Sequence, residues 1–303
     1  MKLATLHLGT AEEACVLLTP GFVPVRAVAR LLQHAWPHDL LGLLETGSLE
    51  ALRAWHDGLG SARAVPAALA DEVISVAAAR YAPLYRRPRK IWGIGLNYRA
   101  HAADLNEKSP TLEPASFMKP DTTIIGPGDT ILLPVMSQKT TGEAELGLIF
   151  GRTCRHVPQG DWRSVVAGFC TIIDMTAEDI LRRNPRNLTQ SKSFDTFFSF
   201  GPLFLTTDEM PDVNALVVRT VINGRVFAEN TVANMTFPPD FLVAYHTQIM
   251  TMLPGDIISS GTPGAAPLAH GDVVECHVDG FFPLSNPVVD LKPAGATANS
   301  PSS

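Results

Sequence analysis

Thr141-Gly142-Glu143-Ala144-Glu145-Leu146 leads into the apolar run 146–150. In a strand, residues two apart face the same side, so Glu143 and Glu145 stand about 7 Å apart at their Cα atoms. Two carboxylates at that spacing repel unless a positive charge lies between them. A hard divalent cation is one solution, because such ions prefer carboxylate oxygens. Two ordinary glutamates on a solvent-facing edge are the other, and this fragment alone favours them. A third acid, Asp174, ends the apolar run Cys170-Thr171-Ile172-Ile173. It is expected at a strand end, either lining a site or serving as a turn acid. Lys192 precedes Ser193-Phe194-Asp195-Thr196-Phe197. Beside three carboxylates and a metal, a lysine would stabilise a developing oxyanion or enolate. The plainer alternative is a surface lysine. Phe117-Met118-Lys119 reads as a strand packed beneath the site, with Lys119 its only member able to reach it.

The chain has 303 residues, with Lys+Arg 24 against Asp+Glu 30, a net charge of −6. A hydrophobic fraction of 46% and a charged fraction of 18% fit a globular enzyme and not a disordered chain. No basic stripe is present to neutralise phosphates, which argues against a nucleic-acid partner. No apolar run reaches the roughly 18 to 20 residues of a membrane span. The first residues carry no apolar leader segment, so a cytoplasmic location is expected. Cys15, Cys154, Cys170 and Cys276 show no Cys-x-x-Cys spacing, and no His-Glu-x-x-His motif occurs. Any metal is therefore expected on oxygen ligands.

These residues need elements to hold them. Residues 1–88 read as a small α+β domain: a hairpin over 5–8 and 14–18, a helix over 23–33, and a helix start at Ser48. From residue 89 the pattern turns β-rich, with strands expected over 90–95, 116–119, 130–133, 144–150 and 166–173. Further strands are expected over 202–206, 216–222, 256–259 and 273–278. Gly126-Pro127-Gly128-Asp129, Asn223-Gly224 and Leu253-Pro254-Gly255-Asp256 supply turns between them. Thr176, three residues ahead of Asp179, fits a helix N-cap, and that helix should stop near Asn184-Pro185. Many short strands with few helices suggest a sandwich, roll or barrel. The tail 293–303 is small and polar and is expected to be disordered.

Several motifs in fixed order carry a resemblance. Gly95-Leu96-Asn97-Tyr98-Arg99-Ala100-His101, Glu143-Ala144-Glu145-Leu146, the Asp174 strand end and Lys192-Ser193-Phe194-Asp195-Thr196-Phe197 resemble those of the fumarylacetoacetate hydrolase family. Gly201-Pro202, Val221-Ile222-Asn223-Gly224, Leu253-Pro254-Gly255-Asp256 and Gly261-Thr262-Pro263 continue the series. The resemblance covers about residues 91–289. It implies an α+β, mainly β fold: a mixed β-roll over 89–292, usually a homodimer, behind the small N-terminal domain. It also implies a Mg²⁺ site, or one for Mn²⁺ or Ca²⁺, with Glu143, Glu145 and Asp174 as ligands. The implied substrates are small 2-oxo or 1,3-dicarbonyl acids, as in aromatic catabolism. His101 matches the position that activates water, Asp104 could orient it, and Lys192 completes the catalytic set. Tyr98, Glu178 and Thr262 are the candidate substrate contacts, although Thr262 could equally serve a purely structural turn. The leading expectation is hydrolytic C–C cleavage of an acylpyruvate-like compound. A lyase or isomerase on the same scaffold is the nearest alternative, and a non-catalytic oxo-acid binder the next.

Three positions depart from the family pattern. Asp104 stands where many members have Glu, Glu178 where hydrolytic members have Arg, and Leu181 where they have Gln. Glu178 could simply favour the helix dipole. Alternatively it could line the pocket and disfavour a second substrate carboxylate, with Arg182, Arg183 or Arg186 restoring positive charge.

Overall fold

Gly, Pro and Asn-Gly turns cut the apolar segments into lengths that suit strands rather than helices. The computed structural model describes residues 1–98 and 112–293. Its strands in the first half are β1 (Lys2–Leu8), β2 (Ala11–Leu17), β3 (Gly21–Pro24), β4 (Ile74–Ser75), β5 (Ile91–Gly95), β6 (Ala115–Lys119), β7 (Ile124–Ile125) and β8 (Ile131–Leu133). The rest are β9 (Thr140–Phe150), β10 (Val166–Ala177), β11 (Phe198–Thr206), β12 (Val217–Ile222), β13 (Arg225–Thr231), β14 (Ile257–Ser259), β15 (Ala265–Pro267), β16 (Val273–Val278) and β17 (Leu284–Asp290). Helices are α1 (Val25–Leu32), α2 (Leu40–Glu45), α3 (Ser48–Gly58), α4 (Glu178–Arg183), α5 (Leu188–Lys192) and α6 (Pro239–Ile249). Among the described residues no helix is long and apolar enough to cross a membrane.

The larger sheet has the order β4-β3-β2-β1-β11-β10-β9-β14-β5-β6, with β15 added on β9 and β7 on β11. The smaller sheet runs β13-β12-β16-β17-β8. Both are mixed: β9, β10 and β11 pair antiparallel, whereas β14–β5 and β17–β8 are parallel. This is the mainly β, mixed-sheet architecture expected from the sequence. The N-terminal residues continue the large sheet, because Leu3 of β1 lies opposite Phe204 of β11. Their helices cover one side of it, where Val28, Leu43 and Leu52 share a core with Ile149, Ile172 and Phe200. The other side meets the smaller sheet, with Leu146, Leu148 and Phe169 packed among Val218, Val274 and Cys276. Strands β9 and β10 are therefore covered on both sides, which explains their nearly unbroken apolar runs.

Several elements differ from expectation. The hairpin has longer arms, closing at Leu8 opposite Ala11. The first helix is shorter, stopping where Gln33 turns left-handed at φ 57°. Helix α3 is capped by Gly47 at φ 72°, and Ser48 is already helical. β9 starts at Thr140 and β10 continues to Ala177, so Thr176 is a strand residue and not a helix cap. The tail 294–303 lies outside the described residues.

Candidate metal centre

Antiparallel pairing of β9 with β10 sets Asp174 opposite Glu143 and Ile172 opposite Glu145. Alternation puts Glu143 and Glu145 on one face of β9, and the register adds Asp174 from β10 to that face. One oxygen from each of the three acids lies within 4.8 Å of the other two. Glu145 is 1% exposed and Asp174 fully buried, so the solvent-edge reading of these glutamates is overturned. Three buried carboxylates are expensive without counter-charge. Two lysines supply part of it. Lys192, ending α5, donates to Glu143 Oε2 at 3.0 Å and to Asp174 Oδ2 at 2.7 Å. Lys119, ending β6, donates to Asp174 Oδ1 at 2.5 Å.

These contacts divide the three acids. Burial opposes ionisation of Asp174, but Lys119 and Lys192 outweigh it and hold this carboxyl below its usual range. Glu145 makes no lysine contact among the described residues. Burial first, then the charges of Asp174 and Glu143, push its pKa up to about 8. Its Oε2 accepts from the Ser259 hydroxyl and from the Gly261 backbone N–H at 2.8 Å. Gly261 is at φ +96°, and a Cβ there would sit 2.8 Å from Asn97 Cβ. Asn97 in turn donates to the carbonyls of Ser260 at 2.7 Å and Phe237 at 3.0 Å. The loop holding Glu145 is thus braced from three segments. Of the two lysines, Lys192 is held above the ordinary lysine range: burial opposes its charge, but Asp174 and Glu143 prevail. Lys119 falls below that range, because burial outweighs its one carboxylate partner and Lys192 repels it.

The donor set fits a hard divalent cation. It offers only carboxylate oxygens, they converge, and the charge of Lys192 does not offset what burial and the two neighbouring acids impose on Glu145. Lys192 also lies 4.6 Å from the centre of the Phe117 ring, a cation–π contact that fixes the ammonium. Phe117 is seated opposite Gly93, and a Cβ on Gly93 would overlap its ring. Gly93→Ala is therefore expected to cost roughly 1–3 kcal/mol through overpacking. It should also lower turnover by displacing Lys192. Urea unfolding alongside steady-state kinetics checks both, and unchanged turnover would remove Phe117 from the lysine's support.

The other sequence candidates fall in different places. Tyr98 is fully buried in the core, and its hydroxyl finds no hydrogen-bond partner among the described residues. The Thr262 hydroxyl is used within its own turn, donating to the Gly264 carbonyl and accepting the Gly264 N–H. Glu178 is ion-paired with Lys139 at 2.7 Å and Arg182 at 2.6 Å. Burial opposes its ionisation, yet those two cations keep its carboxyl below the usual range. His101 and Asp104 lie outside the described residues. Phe197, Phe198 and Phe200 are fully buried core.

Sequence reasoning missed Ser259, Thr141 and Thr176, and it gave Lys119 no role beyond being able to reach the site. Thr141 and Thr176 both donate to Glu143 Oε1, at 3.2 and 2.6 Å. Period-two alternation with Glu143 and Asp174 was the available signal for both threonines. Lys119 likewise alternates with Phe117.

A sequence profile for the fumarylacetoacetate (FAA) hydrolase C-terminal domain matches residues 90–289. That is about two thirds of the chain and includes all three acids and both lysines. The chain belongs to the fumarylacetoacetate hydrolase family. Among its relatives, the mitochondrial oxaloacetate tautomerase Fahd2a of Rattus norvegicus is 33% identical over 211 residues, 67% of this chain and 67% of that one. Maleylpyruvate hydrolase from Sphingobium sp. SYK-6, solved with manganese(II) and pyruvate, aligns with a TM-score of 0.76 at 26% identity. That alignment covers 96% of this chain and 99% of that one. The 5-carboxymethyl-2-hydroxymuconate delta-isomerase of Mycobacterium smegmatis aligns at 0.65 and 32% identity over 72% of this chain and 82% of that one. The family thus includes hydrolases, isomerases and tautomerases.

Proposed function

We propose that this chain is a divalent-metal-dependent hydrolase that cleaves a C–C bond in an acylpyruvate-like 2-oxo acid. The observation that carries the reading is the buried Glu143, Glu145 and Asp174 cluster with two lysines bonded into it. These three acids would hold Mg²⁺ or Mn²⁺, and the cation would supply Lewis-acid polarisation of the substrate's oxo group. Lys192 spends two of its three N–H donors on Glu143 and Asp174. The third is left for a substrate oxygen, where it stabilises the negative charge that develops as an enolate forms. Lys119 holds the other oxygen of Asp174, so the ligand keeps its orientation. In this reading His101, oriented by Asp104, takes a proton from water. The resulting hydroxide adds to the distal carbonyl, the C–C bond breaks to leave an organic acid and the pyruvate enolate, and the proton taken by His101 returns to the enolate carbon to give pyruvate.

A second reading is favoured by the identity to oxaloacetate tautomerases. Keto–enol exchange needs the same stabilised enolate but no attacking water. Two assays separate the readings: pyruvate release from a panel of acylpyruvates, and absorbance decay of enol-oxaloacetate, each with Mn²⁺ and with excess chelator. Chelator-sensitive pyruvate release that is lost in His101→Ala supports the hydrolase. Enol decay without any pyruvate supports the tautomerase, and inactivity in both assays would reject the enzyme reading.

A further inference from the structure

Strands β14 and β15 both pair with β9, but they leave part of its edge open. On that edge the even-numbered residues of β9 present their backbone groups. The Thr140 carbonyl accepts from the Leu268 N–H at 2.9 Å, and the Leu146 carbonyl accepts from the Ser260 N–H at 3.1 Å. The β15 pairs stop at Glu143 opposite Ala265, and the β14 pairs start at Gly147 opposite Ser259. Ala144, between the two glutamates, falls in the gap. Extending the β15 register by one residue would set Ala144 opposite Gly264 and join its N–H directly to the Gly264 carbonyl. Instead the Thr220 hydroxyl of β12 stands between them. It accepts from the Ala144 N–H at 3.2 Å and donates to the Gly264 carbonyl at 3.1 Å.

Thr220 is fully buried and comes from the smaller sheet, where it pairs with Cys276 of β16. It lies at an irregularity in the β12–β13 pairing, a feature that re-aims a side chain. The Gly264 N–H turns to the Thr262 hydroxyl at 3.2 Å. Ala228 of β13 backs Gly264 so closely that a Cβ there would lie 2.5 Å from the Ala228 Cβ. Two hydrogen bonds through a hydroxyl hold two backbones further apart than one direct bond of about 2.9 Å. The 260–264 loop therefore stands off β9, and from this loop the Gly261 N–H reaches back to Glu145 Oε2.

We propose that Thr220 is a positioning residue of the metal centre. Its hydroxyl is the spacer that sets the separation between the Glu143–Glu145 segment and the 260–264 loop. At that separation Gly261 and Ser259 hold Glu145 Oε2, and Oε1 is the oxygen presented to a cation. Thr220 itself bonds none of the three carboxylates. The inference rests on the reading of the centre as a divalent-cation site and gives the smaller sheet a part in building it. Without the hydroxyl, the buried Ala144 N–H needs another acceptor, and the register offers it the Gly264 carbonyl. Closing the ladder in this way draws the loop toward β9 and takes the Gly261 N–H off Glu145.

Calorimetric titration with Mn²⁺ at one pH, beside thermal midpoints of the metal-free proteins, tests it. Thr220→Val keeps the shape and loses the hydroxyl, and its Mn²⁺ affinity should fall about 10–100-fold, as for other groups that orient a metal ligand. Thr220→Ser keeps the hydroxyl and loses a buried methyl. Its affinity should stay within about threefold of the unmodified protein, while its midpoint drops by about 2–4 °C. Thr220→Ala also lacks the hydroxyl and should bind as weakly as Thr220→Val, so the outcome does not depend on one variant folding. Were Thr220 only filling space, Val would bind Mn²⁺ like the unmodified protein and Ser would bind more weakly than Val. That order, or equal losses in Ser and Val, would overturn the positioning role alone. Absence of Mn²⁺ binding by the unmodified protein would overturn it together with the reading of the centre as a cation site.

Discussion

Asp174→Asn is expected to lower folding stability by about 3–5 kcal/mol and to abolish metal-dependent turnover. Asn preserves the shape but removes the negative charge shared by Lys119 and Lys192. The Lys119 side chain is 0% exposed and bonds no other carboxylate among the described residues, so its ammonium is left buried without a counter-charge. Glu145→Gln should behave differently. No lysine contacts Glu145 among the described residues, and its ionised form is disfavoured by burial and by two neighbouring acids. Neutralising it should leave metal-free stability unchanged or raised, while Mn²⁺ binding and turnover are lost. Urea denaturation of both variants, with and without Mn²⁺, separates the two acids. Equal stability losses would show that the lysines do not distinguish them, and full turnover in either would end the metal-centre reading.

Mn²⁺ affinity is expected to rise about tenfold per pH unit between about pH 6 and pH 8 and to level off above. The folded-state pKa of Glu145, about 8, lies above its ordinary 4.5. Between those values the folded chain keeps a proton that the unfolded chain has released. The stability contributed by this group is therefore complete below about pH 4.5 and is lost as pH rises through about 8. A cation that binds the carboxylate must displace that proton, which gives a slope of one in log affinity against pH. The same competition makes the stabilising effect of Mn²⁺ on the thermal midpoint largest at the alkaline end. Titrations across the range check the slope, and a flat profile would place the displaced proton elsewhere or show that none is displaced.

The strands with apolar alternation or runs were legible within a few residues, as 273–278 and 216–222 illustrate. The strands of the site were read too short at their polar ends. Thr140 and Thr141 look like a loop lead-in, and Thr176 looks like a helix cap. In the fold they continue β9 and β10, because their side chains satisfy one another across the ladder and so can be buried. Strands β13 and β17 were not foreseen. β13 is largely exposed at a sheet edge, and β17 carries Pro287, so neither shows a clean pattern.

What the sequence by itself determined is the chemistry on offer: hard oxygen donors at strand spacing, a third acid ending an apolar run, a lysine nearby, and the ordered motifs of one family. Strand alternation is a local property, so the side-by-side placement of Glu143 and Glu145 could be read without a structure. Tertiary structure alone decided what those groups meet. A one-residue slip between β9 and β10 would turn Asp174 away from Glu143, and no local signal sets that register. Lys119 and Lys192 arrive 55 and 18 residues from Asp174 in sequence, and their partners give the acids opposite pKa shifts. Glu178 shows the same limit: its sign suggested repulsion of an anion, whereas its contacts make it an anchor for two cations. Charge is written in the sequence, but the field at a site depends on which charges folding brings within a few ångströms.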